Sequence, residues 1–184
     1  MRNIIFFLAT AFFIASHASY AVADTYKYKP YVGVDYAYNH TTASSFNPYY
    51  NTVGFHVGSS YSRYFATELF FNQSNGNKRL KATDSLKTSY RSYGLDLLAF
   101  LPIGCSNKFS LLGTTGIGEY IYKTTFVPAK HYNEHGYGYR FGGGFTYTFT
   151  KNWNIRTIVR YVNFDRLSNY DHAFEYSAGV EYHF

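Results

Sequence analysis

The last eleven residues of the chain alternate between two kinds of side chain. Counting back from Phe184 to Phe174, every second residue is apolar or aromatic, and the residues between them are small or polar. Successive side chains of a β-strand point to opposite faces, so this pattern predicts a strand with one apolar and one polar face. The apolar face includes the final residue, which favours lipid on that face and a polar interior on the other.

Seven earlier segments show the same alternation. Their apolar positions fall within residues 32–38, 53–59, 65–71, 93–101, 111–117, 139–149 and 155–161. The segment at 109–122 is the weakest, because Glu119 falls on the apolar parity unless a β-bulge shifts the register. The pattern therefore predicts eight strands and leaves the register of the fifth around Glu119 open.

Charged residues occur almost entirely on the polar parity of these segments. An arginine or lysine on a lipid face at mid-membrane costs about 2–4 kcal/mol, which explains why the other parity lacks them. The interior of an eight-stranded barrel is just wide enough for side chains, and buried charges must be paired. We therefore expect a salt-bridged network in the lumen, with Arg156 and Arg160 within reach of Glu175 or Glu181. Its members are Asp35, Glu68, Asp96, Arg140, Arg156, Arg160, Glu175 and Glu181. A proton path, a narrow pore and a catalytic cluster are alternative roles for the same charges.

The connections between the segments alternate in length. The long ones cover residues 39–50, 74–89, 123–136 and 163–172, and the short ones cover 60–63, 102–108 and 150–152. Outer-membrane barrels combine short periplasmic turns with longer external loops. The fold class predicted here is thus all-β, an eight-stranded antiparallel up-and-down transmembrane barrel with both termini at the short-turn end.

The amino terminus has the three parts of an export signal. Arg2 provides a positive start, residues 4–14 form an apolar run, and Ala21-Val22-Ala23 is a small-x-small cleavage site. Cleavage there would make Asp24 the first mature residue, which divides the chain into a signal peptide at 1–23 and a barrel domain at 24–184. A membrane-anchoring helix is the alternative, although the apolar run is short for a span of about 30 Å.

Composition narrows the picture further. Aromatic residues make up 22% of the chain, yet the mean hydropathy is only −0.27. That combination is typical of alternating strands with aromatic belts at the membrane interfaces. Trp153, Tyr64, Tyr31, Tyr147 and Phe149 lie near strand ends and are expected to form those belts. The net charge of +6 is spread along the chain, which argues against nucleic-acid binding, and the single Cys105 cannot form an internal disulfide.

Several of these segments together resemble the small eight-stranded outer-membrane barrels, a group that includes OmpX, the transmembrane domain of OmpA and the opacity-type surface proteins. The resemblance rests on residues 31–36, 94–98, 140–145 and 179–184, in that order. It implies a location in the outer membrane of a Gram-negative-type bacterium, with lipid and lipopolysaccharide as neighbours. It also implies that the barrel assembly machinery reads the terminal aromatic strand, for which Tyr176, Val180, Tyr182 and Phe184 match the signal.

The long connections carry the candidate contact residues. Phe46, Tyr49 and Tyr50 in the first could contact a partner. Lys78, Arg79, Lys81 and Lys87 in the second could pair with phosphates of lipopolysaccharide or with acidic host glycans. We therefore expect a non-enzymatic surface protein whose four extracellular loops serve adhesion, host-factor binding or envelope protection.

Three other functions stay open from the sequence. A lipid-modifying enzyme would need a cluster of serine, histidine and acid at the outer rim, and Ser177 with His172 is the nearest match. A narrow channel would need a continuous water path, and a soluble barrel would need a ligand pocket. His131, Glu134 and His135 have a spacing that binds zinc on a helix, but they fall in a predicted loop. We therefore expect no metal site and no cofactor.

Overall fold

The computed structural model describes residues 28–43, 48–74, 77–81, 84–104, 108–126, 130–165, 167 and 170–184. The predicted signal peptide and its cleavage residues Ala21, Ala23 and Asp24 lie outside the described residues, as do Phe46 and Cys105. The described residues form nine strands: β1 Lys29–Ala43, β2 Tyr49–Ser60, β3 Phe65–Ser74, β4 Asn77–Lys81, β5 Asp84–Ile103, β6 Phe109–Phe126, β7 Lys130–Thr148, β8 Trp153–Asp165 and β9 Tyr170–His183. The described residues contain no helix long and apolar enough to cross a membrane.

Eight of these strands close into an antiparallel barrel. Each pairs with its neighbours in sequence, β1 pairs with β9, and β3 pairs with β5 across the short strand β4. Strand β4 pairs only with the first residues of β5 and forms a side hairpin. The predicted eight-stranded up-and-down barrel is confirmed. Both described ends of the chain, Tyr28 and Phe184, lie at the end with the short turns, here named the terminal end, and the longer connections lie at the opposite loop end.

Side chains alternate between the lumen and the outer wall as the sequence pattern predicts. On β9, for example, Glu175, Ser177 and Glu181 are buried, whereas Tyr176 and Val180 are exposed. The same division holds in the other barrel strands, where large exposed apolar residues occupy the outward parity. The barrel is therefore inverted relative to a soluble sandwich, with charge inside and aromatic and aliphatic side chains outside.

The loop end contains more strand than the sequence pattern predicts. Residues 74–89 were expected to be a loop but include β4 and the start of β5, and residues 123–136 continue β6 and β7 as far as the pair Phe126–Lys130. These parts of the hairpins extend beyond the barrel. Neither face there needs to be apolar, so the alternation that marks a strand is missing.

The register around Glu119, left open by the sequence pattern, contains no bulge. Strand β6 pairs with β5 and β7 in one unbroken register, and Glu119 lies on the outer wall opposite Tyr93 and Tyr137. Glu119 lies ten residues beyond Phe109, which at about 3.3 Å per residue and a tilt of about 40° corresponds to about 25 Å along the barrel axis. That distance equals the height of the apolar band of such barrels, so Glu119 lies at its upper boundary rather than within it.

Two inward glycines make room for the acids of the lumen. A Cβ on Gly116 would overlap Oδ1 of Asp96 on the neighbouring strand, and one on Gly179 would overlap Oδ1 of Asp35. A side chain cannot occupy either position unless the carboxylate moves and the backbone carbonyl of Leu95 or Val34, which the added Cβ would also overlap, gives way. On the outer wall, by contrast, Gly113 has nothing within 4 Å of an added Cβ.

Candidate functional sites of the lumen and the loop end

The half of the lumen nearest the terminal end contains one arginine that serves three carboxylates. The guanidinium of Arg156 donates to Asp35 at 3.0 and 3.2 Å and to Glu68 at 2.6 and 3.1 Å. It also donates to Glu181 at 2.8 Å, and all four side chains are nine-tenths buried or close to it. We name these residues, together with His56, the Arg156 cluster.

His56 is the second basic group of the Arg156 cluster. Its Nδ1 lies 2.8 Å from Oδ2 of Asp35 and its Nε2 lies 3.5 Å from Oε1 of Glu181. The hydroxyl of Tyr31 donates to Glu68 at 3.2 Å, and its ring stacks on His183 at 4.8 Å. Tyr31 is 1% exposed. The prediction that Tyr31 belongs to an outer aromatic belt is therefore wrong, because its ring closes the lumen from within.

The middle of the lumen contains a balanced cluster of two arginines and two acids. Arg140 binds both oxygens of Asp96, with its Nε at 2.6 Å from Oδ1, and Arg160 donates to Glu175 at 2.8 Å. Longer contacts cross the two pairs, at 3.8 Å from Arg140 to Glu175 and 3.6 Å from Arg160 to Asp96. The Arg140 guanidinium also lies 3.2 Å from the ring centre of Phe70, a cation–π contact. We name these four charged residues the central cluster.

Aromatic rings fill the lumen above the central cluster. Tyr122 stacks on Tyr170 at 4.1 Å and packs against Tyr90 at 5.1 Å, and Tyr50 and Tyr120 complete the group. These five side chains are at most 5% exposed, and Leu167 from the fourth long connection packs with them. We name this group the tyrosine cluster. Tyr50 was expected to be a partner contact, but it is 0% exposed within this cluster, so that prediction is wrong.

The three clusters follow one another along the described part of the lumen. Each consists of large side chains that contact one another, and the Tyr31–His183 stack and Leu167 lie at the two ends. An eight-stranded cylinder has space for such side chains and little else. The described lumen is therefore a packed core in which charged and aromatic side chains are buried together.

The outer wall differs around the barrel at the loop end. On β5, β6 and β7 it carries Arg91, Glu119, Lys123 and His135, which we name the charged wall. Glu119 accepts a hydrogen bond from Tyr93 and lies 3.5 Å from His135. On β1, β2, β8 and β9 the wall is instead made of stacked rings, the aromatic wall. Its stacked pairs, with the distances between their ring centroids, include Tyr38–Tyr49 at 5.7 Å, His40–Tyr49 at 4.7 Å and Tyr161–His172 at 5.4 Å.

The remaining candidate residues are spread between the two ends. Tyr49 is 41% exposed on the aromatic wall. The backbone places Lys78 opposite Lys87 and Lys81 opposite Asp84 in the β4–β5 hairpin, where Arg79 also lies. The assembly-signal residues Tyr176, Val180, Tyr182 and Phe184 lie along the outward parity of β9 and at its end. Trp153, Tyr64, Tyr147 and Phe149 are exposed at the terminal end, where an aromatic belt was expected.

Neither proposed reactive set forms a site. His172 belongs to β9 rather than to a loop, and it faces outward against Tyr161, whereas Ser177 faces the lumen and bonds to Arg160 and the Ile158 carbonyl. Glu134 and His135 are successive residues of β7, so they point to opposite faces of the strand. The side chain of His131 lies outside the described residues. His135 and Glu119 do form a pair at the outer rim, but among the described residues no serine hydroxyl bonds to that histidine.

A family model described as an outer membrane protein β-barrel domain matches residues 5–184. The chain belongs to that family. The protein is thus an outer-membrane β-barrel, and the lipid faces the outward parity described above. The short turns of such barrels lie in the periplasm, which places the loop end outside the cell.

Solved structures support the same fold. Neisserial surface protein A (NspA) has a TM-score of 0.71 with 14% identity, over 84% of this chain and 97% of that one. Ail, the attachment invasion locus protein of Yersinia pestis, solved with the heparin analogue sucrose octasulfate, has a TM-score of 0.63 with 14% identity, over 86% and 100%. A major outer membrane protein of Thermus thermophilus has a TM-score of 0.65 with 8% identity, over 86% and 100%. No curated protein matches the chain significantly.

His56 is the lumenal residue that sequence reasoning overlooked. Its position was assigned correctly to the inward parity, but no charge was attributed to it. The signal was available, because five inward acids face only three inward arginines in the sequence. An excess of buried acid requires further donors, and His56 and Tyr31 provide two of them.

Proposed function

We propose that this outer-membrane barrel is a non-enzymatic surface protein whose ordered hairpins at the loop end bind a polyanionic glycan. The observation that carries the proposal is the length of β5, β6 and β7 beyond the apolar band. Phe126 lies seven residues past Glu119, which corresponds to about 23 Å of strand. Hairpins of that length hold a binding surface clear of the lipid headgroups.

The packed lumen supports the same assignment. Function in a barrel resides in the lumen, on the wall or in the loops. The Arg156 cluster and the central cluster pair the lumenal charges with one another. Such pairing stabilises a frame and leaves the projecting hairpins as the variable part, where binding residues of rigid scaffolds usually lie.

Charge supports a polyanion as the ligand. The β4–β5 hairpin includes Lys78, Arg79, Lys81 and Lys87 against one acid, Asp84. Four cations in a short hairpin attract sulfate or phosphate groups by charge alone, and arginine can bind them with two hydrogen bonds. Ail, which has the same fold, was solved with a heparin analogue, which makes a sulfated glycan the first ligand to try.

The test is binding of a sulfated oligosaccharide to intact cells that display the barrel. A variant with glutamine at positions 78, 79, 81 and 87 is expected to bind more weakly by at least about tenfold, since each cation near a polyanion adds about 1 kcal/mol. The matched control replaces Lys29, Arg63, Lys108 and Lys151 with glutamine. These four residues are exposed at the terminal end, and their replacement removes the same charge. Equal binding by both variants, or equal loss in both, would contradict the proposal.

We further propose that the assembly machinery recognises the outward residues Tyr176, Val180, Tyr182 and Phe184. Their side chains line one face of β9 at the described carboxyl end, where the aromatic pair Tyr182–Phe184 has a centroid distance of 5.1 Å. Changing Tyr182 to Asp should leave export intact and abolish the heat-modifiable band of the folded barrel in cells. If the same variant folded efficiently into lipid vesicles, its defect in cells would lie in recognition by the assembly machinery and not in the stability of the barrel. A normal band in cells would refute the proposal.

A further inference from the structure

We propose that the terminal end of the barrel binds the headgroups of anionic phospholipids in the periplasmic leaflet of the outer membrane. The residues concerned are exposed cations, one at the start of β1 and one in each of the three turns at that end. They are Lys29, Arg63, Lys108 and Lys151, which we name the terminal ring. The loop hairpins lie at the opposite end, so the proposal does not depend on the function proposed for them.

The described residues of the terminal end include these cations but no acidic side chain. Of the eleven acids of the chain, five lie in the lumen, and Asp24 lies outside the described residues. The other five lie at the loop end, interspersed with cations, and are Asp84, Glu119, Glu134, Asp165 and Asp171. Within the described part of the chain, no residue of the terminal ring forms an ion pair. Its charges are therefore available to a partner from outside the barrel.

Backbone hydrogen bonds hold all four positions of the terminal ring. At each of them, a carbonyl of the cation itself or of the next residue accepts a hydrogen bond from an adjacent strand or its end. The pairs, donor first and with their nitrogen-to-oxygen distances, are Phe184–Pro30 at 3.0 Å, Phe100–Tyr64 at 2.8 Å, Thr148–Lys108 at 2.8 Å and His183–Asn152 at 2.7 Å. The terminal ring is thus built on the barrel framework, which fixes the spacing of its cations.

That spacing favours a charged surface over a single small ligand. Eight strands about 4.8 Å apart and tilted by about 40° close into a cylinder about 16 Å across. Arg63, between β2 and β3, lies on the opposite side of this cylinder from Lys151, between β7 and β8. Cations so far apart cannot share one phosphate, so each contacts a different headgroup. A ring of separate cations at one end of the barrel is complementary to a layer of anionic lipids around it.

The height of the terminal ring corresponds to the lipid headgroups. Lys108 directly precedes Phe109, the exposed residue at the lower end of the apolar band. Tyr64 is also exposed, and the Arg63 guanidinium lies 5.2 Å from its ring centre. Aromatic rings mark the membrane interface, so the cations beside them lie at the level of the phosphates. Each lysine or arginine at such a surface strengthens the attraction to anionic lipid about fivefold.

The single tryptophan of the chain provides the measurement. Trp153 lies two residues from Lys151 and is 42% exposed at the terminal end. The folded barrel is reconstituted in phosphatidylcholine with brominated acyl chains, which quenches the fluorescence of Trp153, and unbrominated phosphatidylglycerol is added in increasing amounts. The recovery of fluorescence shows which lipid lies beside Trp153. We expect phosphatidylglycerol to be favoured about fivefold at low salt, and the preference to disappear in about 1 M salt, which screens the attraction.

Variants separate a local site from the overall charge. Lys151→Gln should abolish the preference measured at Trp153, whereas Arg63→Gln, on the opposite side of the barrel, should keep most of it. Glutamine at all four positions of the terminal ring should also abolish the preference. Its matched control is glutamine at positions 78, 79, 81 and 87, which removes the same charge from the loop end and should behave as the native chain. The heat-modifiable band shows that each variant is folded.

Three results would overturn the proposal. The first is equal quenching of the native barrel whichever lipid is brominated, which would leave the ring to a periplasmic partner of another kind. The second is an equal loss of preference in the ring variant and in the loop-end control, which would mean that only overall charge matters. The third is a native preference that Lys151→Gln leaves unchanged. If the fourfold ring variant does not fold, the comparison of Lys151→Gln with Arg63→Gln decides the question alone.

Discussion

The two ion clusters of the lumen pair buried carboxylates with basic groups in different ways. In the Arg156 cluster one guanidinium contacts three carboxylates, whereas in the central cluster two arginines face two acids and each acid has a second cation within 4 Å. The Arg156 cluster as described thus has one arginine, with His56 beside Asp35 and Glu181, whereas each acid of the central cluster has two arginines within 4 Å. Buried charges are stabilising only as a set, so this difference determines where the barrel is vulnerable.

Removal of Arg156 should have the largest effect. Arg156→Met leaves Asp35, Glu68 and Glu181 together with only His56 as a basic neighbour. We expect the free energy of unfolding to fall by about 4–5 kcal/mol or the barrel not to fold, because each buried carboxylate loses its main partner. Urea titration of the barrel in lipid vesicles, followed by the heat-modifiable band, measures this. A loss below about 2 kcal/mol would mean that His56 or water replaces the guanidinium.

Removal of Arg160 should be tolerated better. In Arg160→Met, Glu175 still has Arg140 at 3.8 Å, and Asp96 keeps its two bonds to Arg140. We expect a loss of about 2–3 kcal/mol in the same titration. Equal losses for Arg156→Met and Arg160→Met would contradict the contrast between a single hub and a redundant pair.

The glycines behind the acids should distinguish the lumen from the wall. An alanine at Gly116 would push Asp96, and one at Gly179 would push Asp35, so each should cost about 1–3 kcal/mol. Gly113→Ala lies on the same strand as Gly116 but faces open space, and it should change stability by less than about 0.5 kcal/mol. Equal losses of stability at positions 113 and 116 would mean that the effect comes from the strand propensity of alanine and not from packing in the lumen.

Removal of a whole pair should have the smallest effect on the central cluster. Arg160→Met with Glu175→Met leaves the Arg140–Asp96 pair intact, so we expect stability within about 1 kcal/mol of the native chain. The matching change in the other cluster, Arg156→Met with Glu181→Met, still removes the guanidinium from Asp35 and Glu68, which keep His56 and the Tyr31 hydroxyl, respectively. A double-mutant cycle for each pair measures the coupling. If the double variant of the Arg156 cluster regained as much stability as that of the central cluster, Arg156 would not be the central partner of its three carboxylates.

The outward and inward assignment of the barrel could be predicted because it depends only on a period of two. The position of a residue along the barrel axis, and the depth of its side chain in the lumen, could not be predicted in this way. Glu119 has the parity of a lipid-facing residue, and only its distance from Phe109 along β6 explains why a charge is tolerated at this position. Tyr31 and Tyr50 have inward parity near strand ends, where no apolar ladder shows whether a ring fills the lumen or belongs to a belt. The partners of each arginine depend on the stagger between strands, which the sequence alone does not contain.

The hairpins beyond the membrane were missed for a related reason. Residues 77–87 are mostly polar, because both faces of a projecting hairpin can be in water. The alternation that reveals a strand is imposed by lipid, so its disappearance marks the membrane surface and not the end of the strand. The proposed glycan-binding residues lie in the part of the chain where the pattern gives least information.

The most direct test of the account is a spin-label scan along β6, with Cys105 first replaced by Ser. Labels at 111, 113, 115 and 117 should be accessible to oxygen dissolved in lipid, and labels at 119 and 121 should become accessible to a water-soluble nickel reagent. Labels at the inward positions 112, 114, 116 and 118 should be inaccessible to both or prevent folding. Lipid contact at the inward positions, or a label at 119 as deep in the hydrocarbon as one at 115, would contradict the account.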